Sequence, residues 1–323
     1  VALATENPPA SALTGSGRGA AADKGFRVAA LVAGLTILGI LGAIAVSTTQ
    51  KAWPAFAKEG LSFVFTDNWN PSQEHFGALA LIYGTIVVSL IAVVIAVPVS
   101  IGIALFVTEV ASRRFRPAIT TVMDLLAAIP SVVFGLWGFL YLRPHLKDGY
   151  NWVADHGASI PIVNSIFGTS LSGQSFMTAG LIVALMIVPI ITSITREVFL
   201  TVPRNDKDGA LALGATRWEM VKGVVLPHST SGITAAVMLG LGRAMGETIA
   251  IALVIGASPQ IVTNVFSQGE AMPSQIARQL NESTGDFQAA LIGLGVLLFA
   301  LTIIVNVAAR GLVTRFERRA QGG

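Results

Sequence analysis

The chain has 323 residues, 53% of them hydrophobic and only 12% charged, with a net charge of +3. Soluble domains carry about 25% charged residues, so this is the composition of a multi-span membrane protein, with little room for a soluble enzyme domain. The absence of cysteine excludes disulfides, thiolate metal sites and a cysteine nucleophile, and the four histidines show no metal-ligand spacing.

Residues 1–24 are rich in Ala, Gly, Ser and Pro without an apolar period, and they read as a disordered tail. After Lys24 and Arg27 comes the apolar run 28–46. It exceeds the roughly 7–15 residues of a signal-peptide core and is read as a retained span. Five more runs reach the roughly 20 residues that cross a bilayer: 78–107, 118–142, 176–195, 232–257 and 288–309. Pro98 in the second predicts a tilted or bent helix. Pro130 in the third, followed by Gly135 and Gly138, predicts a kink, serving either packing or a polar path. Asp124 is a weaker path candidate, with Arg113, Arg114 or Arg116 as possible ion-pair partners. The fold class expected is an all-α integral membrane protein of six spans over residues 25–318, with a short tail at 319–323.

The positive-inside rule orients the chain. With the N-terminus inside, fifteen of the 21 Lys and Arg fall in inner segments, five in outer segments, and one, Arg243, within a span. Both termini are therefore expected on the cytoplasmic side of a cytoplasmic membrane. The outer segment 49–77 holds Trp53, Phe56, Phe63, Phe65, Trp69 and Phe76, and the segment 143–175 holds Tyr150, Trp152 and Phe167. Such aromatics suit headgroup anchoring or a docking surface for an external protein, and the sequence leaves both open.

The inner loop 202–229 reads VPRNDKDGALALGATRWEMVKGVVLPHS. Leu211, Ala215, Trp218, Val221, Val224 and Val225 recur at three- and four-residue steps, which predicts a short amphipathic helix, a turn near Gly214 and a second helix. Asp206 and Asp208 suit the helix start, and Pro227 ends the segment. A loop of this kind either lies on the membrane surface or docks onto a partner.

The fifth predicted span contains GLGRAMGETIA, and Arg243 and Glu247 are the only ionisable residues from 232 to 257. On a straight helix they lie about 40° apart, as an i, i+4 pair. Ala236, Gly240 and Ala250 share that face, while Met238, Leu241, Met245 and Ile249 point away. Gly242 and Gly246 leave room for a neighbouring backbone or a solute. A charge at mid-membrane costs about 2.5–3.5 kcal/mol. A mutual salt bridge offsets part of that cost, yet buried pairs add little net stability, so the pair is read as lining an interior path. Arginine offers a planar fork to an oxyanion. A switch follows, in which Arg243 pairs with Glu247 at rest and with the anion during passage.

Two resemblances attach to these residues. Asp208-Gly209-Ala210, Gly214 and Leu226-Pro227 resemble the "EAA" loop of ABC-transporter permeases, with Asp208 in place of Glu and Gly209 in place of Ala. In that family the loop is a coupling helix docking into a cytoplasmic ATPase. GLGRAMGETIA with the following IALVIG, and AIPSVVFGLWG at 128–138, resemble the PstC-type permeases of the phosphate-specific (Pst) importers over roughly residues 26–315. The resemblance implies a type I ABC importer permease fold, a substrate path through Arg243 and Glu247, and ATPase coupling through Asp208, Gly209, Ala210, Gly214, Leu226 and Pro227. It also implies a homologous PstA-type permease as heterodimer partner, two PstB-type ATPase subunits, an external phosphate-binding protein, and inorganic phosphate as solute. Membrane lipid is a further partner, and no nucleic acid is expected.

The chain has no G-x-x-x-x-G-K-[ST] loop and no Gly-Lys pair. It is expected to be a non-catalytic subunit binding no cofactor, with ATP and Mg used by the separate ATPase. Other readings are a permease for sulfate or molybdate and a secondary anion transporter or channel. An integral-membrane enzyme is disfavoured, since the sequence lacks a nucleophile motif and metal-ligand spacing.

Overall fold

Long apolar runs form the long helices, three of which continue through an internal proline, Pro54, Pro98 or Pro189. The computed structural model describes residues 18–157, 159–170 and 172–321. Residues 1–17 and 322–323 of the two expected tails lie outside the described residues. The chain divides into two units, residues 1–50 and 51–323.

Helix α1 spans Arg18–Glu59. It starts inside the stretch expected to be a tail, where Gly19-Ala20-Ala21-Ala22 supplies three strong helix formers. In the first unit the large apolar side chains from Phe26 to Val46 are exposed. Helix α2 (Ser62–Phe65) leads into a small hairpin, β1 (Trp69–Asn70) with β2 (His75–Phe76), pairing Trp69 with Phe76. Helix α3 (Leu79–Leu105) carries Pro98 without ending and continues as a π-helical stretch, Phe106–Val110.

The third expected span is not one straight helix. It divides into α4 (Arg116–Ala128) and α5 (Ser131–Trp137). A π-helical stretch, Gly138–Leu142, then joins α5 to α6 (Arg143–Gly157). The two halves are bent by 89°. Proline forces the residue before it out of the helical region, and Ile129 is extended at φ −66°, ψ 127°.

After α7 (Pro161–Ile166), α8 (Phe176–Leu200) crosses the centre of the second unit. Helices α9 (Arg204–Ala212) and α10 (Arg217–Met220) follow. A third π-helical stretch, Val221–Val225, joins α10 to α11 (Leu226–Gly246). The last elements are α12 (Ile249–Val254), α13 (Met272–Gln279) and α14 (Gly285–Gln321), so the expected tail at 319–323 is helical as far as Gln321. Among the described residues five helices are long and apolar enough to cross a membrane, six when the bent pair counts as one span.

The main core forms where α3, α11 and α12 meet α8, around Ile182, Ile187 and Ile191. Gly180 admits Ile91, since a Cβ there would lie 2.4 Å from its Cγ2. A second core departs from the expectation for the outer aromatics. Phe63, Trp69 and Phe76 are buried with Leu291 and Leu294. Phe76 stacks on Phe287 at 5.9 Å and Trp69 meets Phe76 edge-on at 5.4 Å. Burying each such side chain stabilises by about 1.5–3 kcal/mol, so these rings are structural, while Trp53 and Phe65 stay exposed. A third core, with Phe199, Met220, Val221 and Val225, lies beneath α9 and α10.

Candidate functional site

Helix α11 ends at Gly246, so the straight-helix arrangement of Arg243 and Glu247 does not hold. Glu247 is extended (φ −68°, ψ 129°) and α12 starts at Ile249. Backbone groups freed inside a membrane need partners, and this break supplies its own. The Glu247 N–H donates to Ala244 O at 3.4 Å. The Thr248 hydroxyl donates to Gly246 O at 3.1 Å, and Glu247 Oε1 accepts from Ala250 N–H at 3.3 Å. Glu247 is thus a cap for α12, and it is buried at 8% exposure. Arg243 is exposed. Among the described residues no ion pair joins the two, so the expected resting salt bridge is absent from this conformation.

Both residues nonetheless line one cavity of about 910 Å³. Its wall on α11 is a stripe at three- and four-residue steps: Ser231, Thr234, Ala235, Met238, Leu239, Gly242, Arg243 and Gly246. Asn306 and Arg310, one turn apart on α14, and Ile190 on α8 complete it. The glycines divide by face. A Cβ on Gly232 would meet Val198 at 2.5 Å and one on Gly240 would meet Ile191 at 2.7 Å, whereas Gly242 and Gly246 have nothing within 4 Å. Gly232 and Gly240 therefore let α11 pack on α8, and Gly242 and Gly246 open onto the cavity. Ala236 and Gly240, expected beside Arg243 on the cavity face, are buried instead, and Met238 lines the cavity that it was expected to avoid.

The two signature stretches touch. A Cβ on Gly135 would lie 2.7 Å from Ala250 Cα, and one on Gly138 would crowd Ile182 and Val254. The break at Pro130 thus sets α5 and the following π-helical stretch against α12. Asp124 is exposed and does not line the cavity. Arg116, one of its expected partners, instead donates to Ala111 O at 3.0 Å and Thr108 O at 2.8 Å.

The segment 202–229, expected to couple to an ATPase, has the expected helix, turn and helix. Asp208, Gly209 and Ala210 lie on α9, Gly214 makes the turn at φ +89°, and Leu226 and Pro227 open α11. Asp208, Gly209 and Gly214 are exposed, with Ala210 and Leu226 packed on the third core. Leu211 and Trp218, expected on the buried stripe, are exposed, and Leu213 is 91% exposed. Thr216 and Glu219 form a capping box at the start of α10. Its hydrogen bonds from the Thr216 backbone and hydroxyl hold the Glu219 carboxyl below its ordinary range. Lys207 Nζ meets Glu109 Oε1 at 2.6 Å, tying α9 to the end of the second span.

Known proteins agree with this architecture. The family model described as "Binding-protein-dependent transport system inner membrane component" matches residues 96–322. The chain is 40% identical over 304 residues to the phosphate transport system permease protein PstC of Mesorhizobium japonicum, covering 94% of this chain and 93% of that one. It is 41% identical to PstC of Xylella fastidiosa, with 94% of each chain covered.

The chain belongs to the PstC family of binding-protein-dependent inner-membrane permeases.

Solved relatives share the fold at low identity. A chain of a bacterial alginate ABC transporter, solved with its alginate-pentasaccharide-bound periplasmic protein, superposes with a TM-score of 0.59 at 16% identity, covering 91% of this chain and 97% of that one. A chain of the inward-facing MetNI methionine ABC transporter gives 0.50 at 17% identity, covering 74% and 94%. This PstC-family chain is thus a multi-span membrane permease of the ABC importer class. The family match contains the segment 202–229 and both Arg243 and Glu247.

Two features of this PstC-family chain escaped sequence reasoning. Asn306 and Arg310 counted only as part of the last span and its basic flank, although their four-residue spacing places both on one helix face. Glu270, 1% exposed, is joined to Arg278 at 3.4 Å and to Ser274, and Arg278 donates to Ala252 O at 2.7 Å. This bracket ties α13 to α12. Burial pushes the Glu270 carboxyl up, opposed by Arg278 and by the hydrogen bonds from Ser274 and the Ala271 amide.

Proposed function

We propose that this chain forms part of the membrane path for inorganic phosphate in an ATP-driven importer, with both termini cytoplasmic. The observation that carries the reading is the shared cavity. A guanidinium and a carboxylate face one hollow at a helix break, in a chain about 40% identical to phosphate permeases. The Arg243 fork matches two oxygens of a tetrahedral oxyanion, a geometry that a lysine ammonium does not supply. Glu247 faces the same hollow while its Oε1 is held by Ala250. Its negative charge opposes lasting capture of an anion beside Arg243, which favours release. Glu247 is thereby a fixed counter-charge at the path, and no Arg243–Glu247 exchange is required.

Energy enters through α9 and α10. Their exposed face, with Asp208, Gly209 and Gly214, is presented to one of two PstB-type ATPases, which use ATP and Mg. The third core and the Lys207–Glu109 pair transmit movement of α9 to the second and fourth spans. Alternating access with a PstA-type partner and an external phosphate-binding protein completes the cycle. The substrate assignment is tested by ATP-dependent uptake of labelled phosphate in proteoliposomes holding the four components. Competition by excess unlabelled phosphate, with none by sulfate or molybdate, is expected. Equal competition by sulfate would reassign the path to oxyanions in general.

A further inference from the structure

The bundle end that carries the coupling segment holds a second cavity, of about 640 Å³, that the proposed path does not use. Four basic side chains line it, Arg113, Arg116, Arg204 and Lys207, against one carboxylate, Glu109. Glu109 is taken by Lys207. Arg116 spends hydrogen bonds on two backbone carbonyls and keeps its charge. Arg113 and Arg204 have no ion-pair partner among the described residues. Three guanidiniums thus face one hollow without a counter-charge. Like charges gathered in this way repel unless an anion joins them.

The hollow continues in one direction. A neighbouring cavity of about 450 Å³ shares Thr108, Arg116, Pro117 and Leu200 with it. The residues it adds lie nearer the helix middles on all three elements: Val107 before Thr108, Thr120 and Thr121 after Arg116, and Arg196 before Leu200. Four helical residues correspond to about 6 Å, so this extension runs toward the bilayer interior. Its one additional cation, Arg196, is already paired with Glu197 at 2.6 Å. The mouth is therefore cationic, and the extension is apart from that pair uncharged.

We propose that this composite hollow binds a phosphate-bearing anion, the headgroup of an anionic phospholipid whose chains enter the deeper groove. A soluble phosphate would use the mouth alone and would leave the groove without a role. Basic pockets between helices at a cytoplasmic face suit such headgroups. The bound phosphate would share Lys207 with Glu109, fastening the coupling helix α9 to the ends of α3 and α4. The site stands whichever anion the path carries.

The test is lipid retention by the assembled importer, taken from nanodiscs of phosphatidylcholine with a minor fraction of phosphatidylglycerol and counted by native mass spectrometry. The Arg113→Gln/Arg204→Gln double variant is expected to retain one phosphatidylglycerol fewer per complex. Glu109→Gln is expected to hold that lipid through a longer detergent wash, because Lys207 is released to it. Arg114→Gln, outside the hollow, is expected to match wild type, and a single cooperative melt of each assembled variant shows that it folds, with that of Glu109→Gln lowered by the loss of its pair with Lys207. Equal retention by wild type and the double variant would overturn the proposal. Displacement of the lipid by millimolar inorganic phosphate would overturn the lipid as occupant and assign the site to soluble phosphate.

Discussion

Glu247 Oε1 accepts the Ala250 N–H at 3.3 Å, and the Cα of the same Ala250 leaves no room for a Cβ on Gly135. One residue therefore joins the two broken spans of the permease. It is also where the Glu247 carboxylate is fixed.

Gly135→Val tests that junction. The added side chain meets backbone, which cannot move aside as a side-chain tip can. Overpacking of this kind costs about 1–3 kcal/mol. A lower melting temperature of the purified complex and a large loss of uptake are expected. Gly242→Ala, inside α11 with open space around it, should not lower the melting temperature, since alanine favours a helix interior over glycine.

Substitutions separate the observed hydrogen bond of Glu247 to Ala250 from its proposed role as a counter-charge in the path. Glu247→Gln keeps an oxygen that can accept from Ala250, so stability should be retained while turnover changes. Glu247→Ala loses the cap as well, at about 0.5–2 kcal/mol. Equal melting temperatures for the two variants would remove the capping role.

Arg310 and Asn306 share the cavity with Arg243. Arg310→Gln is expected to lower phosphate uptake several-fold while the complex assembles normally. Uptake at the wild-type rate would confine the path to α11.

Lys207–Glu109 is a partly buried pair between α9 and the end of the second span. Breaking it should cost about 1–3 kcal/mol, between the values for exposed and fully buried pairs. Lys207→Ala is expected to raise the ATP hydrolysed per phosphate transported, measured in the same proteoliposomes.

Glu270 gives a pH dependence of known sign. Its carboxyl is pushed above its ordinary value of 4.5 by burial. The folded state thus holds this proton more tightly than the unfolded chain does. Its contribution to stability is fully present below pH 4.5 and is lost as pH rises through the folded value. Thermal melts across that window should show this slope in wild type and a shallower one in Glu270→Gln. Removing the opposing cation with Arg278→Gln should steepen it.

Much of this was legible in the sequence for physical reasons. Long apolar runs must be helices in a bilayer, since only helices satisfy their own backbone there. Gly214, a glycine interrupting a helical pattern, marked a turn that the structure forms at positive φ, and Pro130 marked the bend. Arg243 and Glu247 stood out because charges are costly among apolar residues. The break at Glu247 was hidden, because no proline announces it and its cap depends on a local backbone geometry. The core of Trp69, Phe76 and Phe287 was hidden because it joins residues more than two hundred positions apart. Arg310 was read as topology when its place on a helix face also puts it on the cavity.

The most direct measurement is phosphate uptake by Arg243→Ala in proteoliposomes with the partner permease, ATPase and binding protein, with ATP hydrolysis followed in parallel. The expected result is loss of uptake from a complex that assembles and melts like wild type. Uptake at the wild-type rate would contradict a phosphate path through Arg243 and leave the cavity at the α11 break without a role in transport.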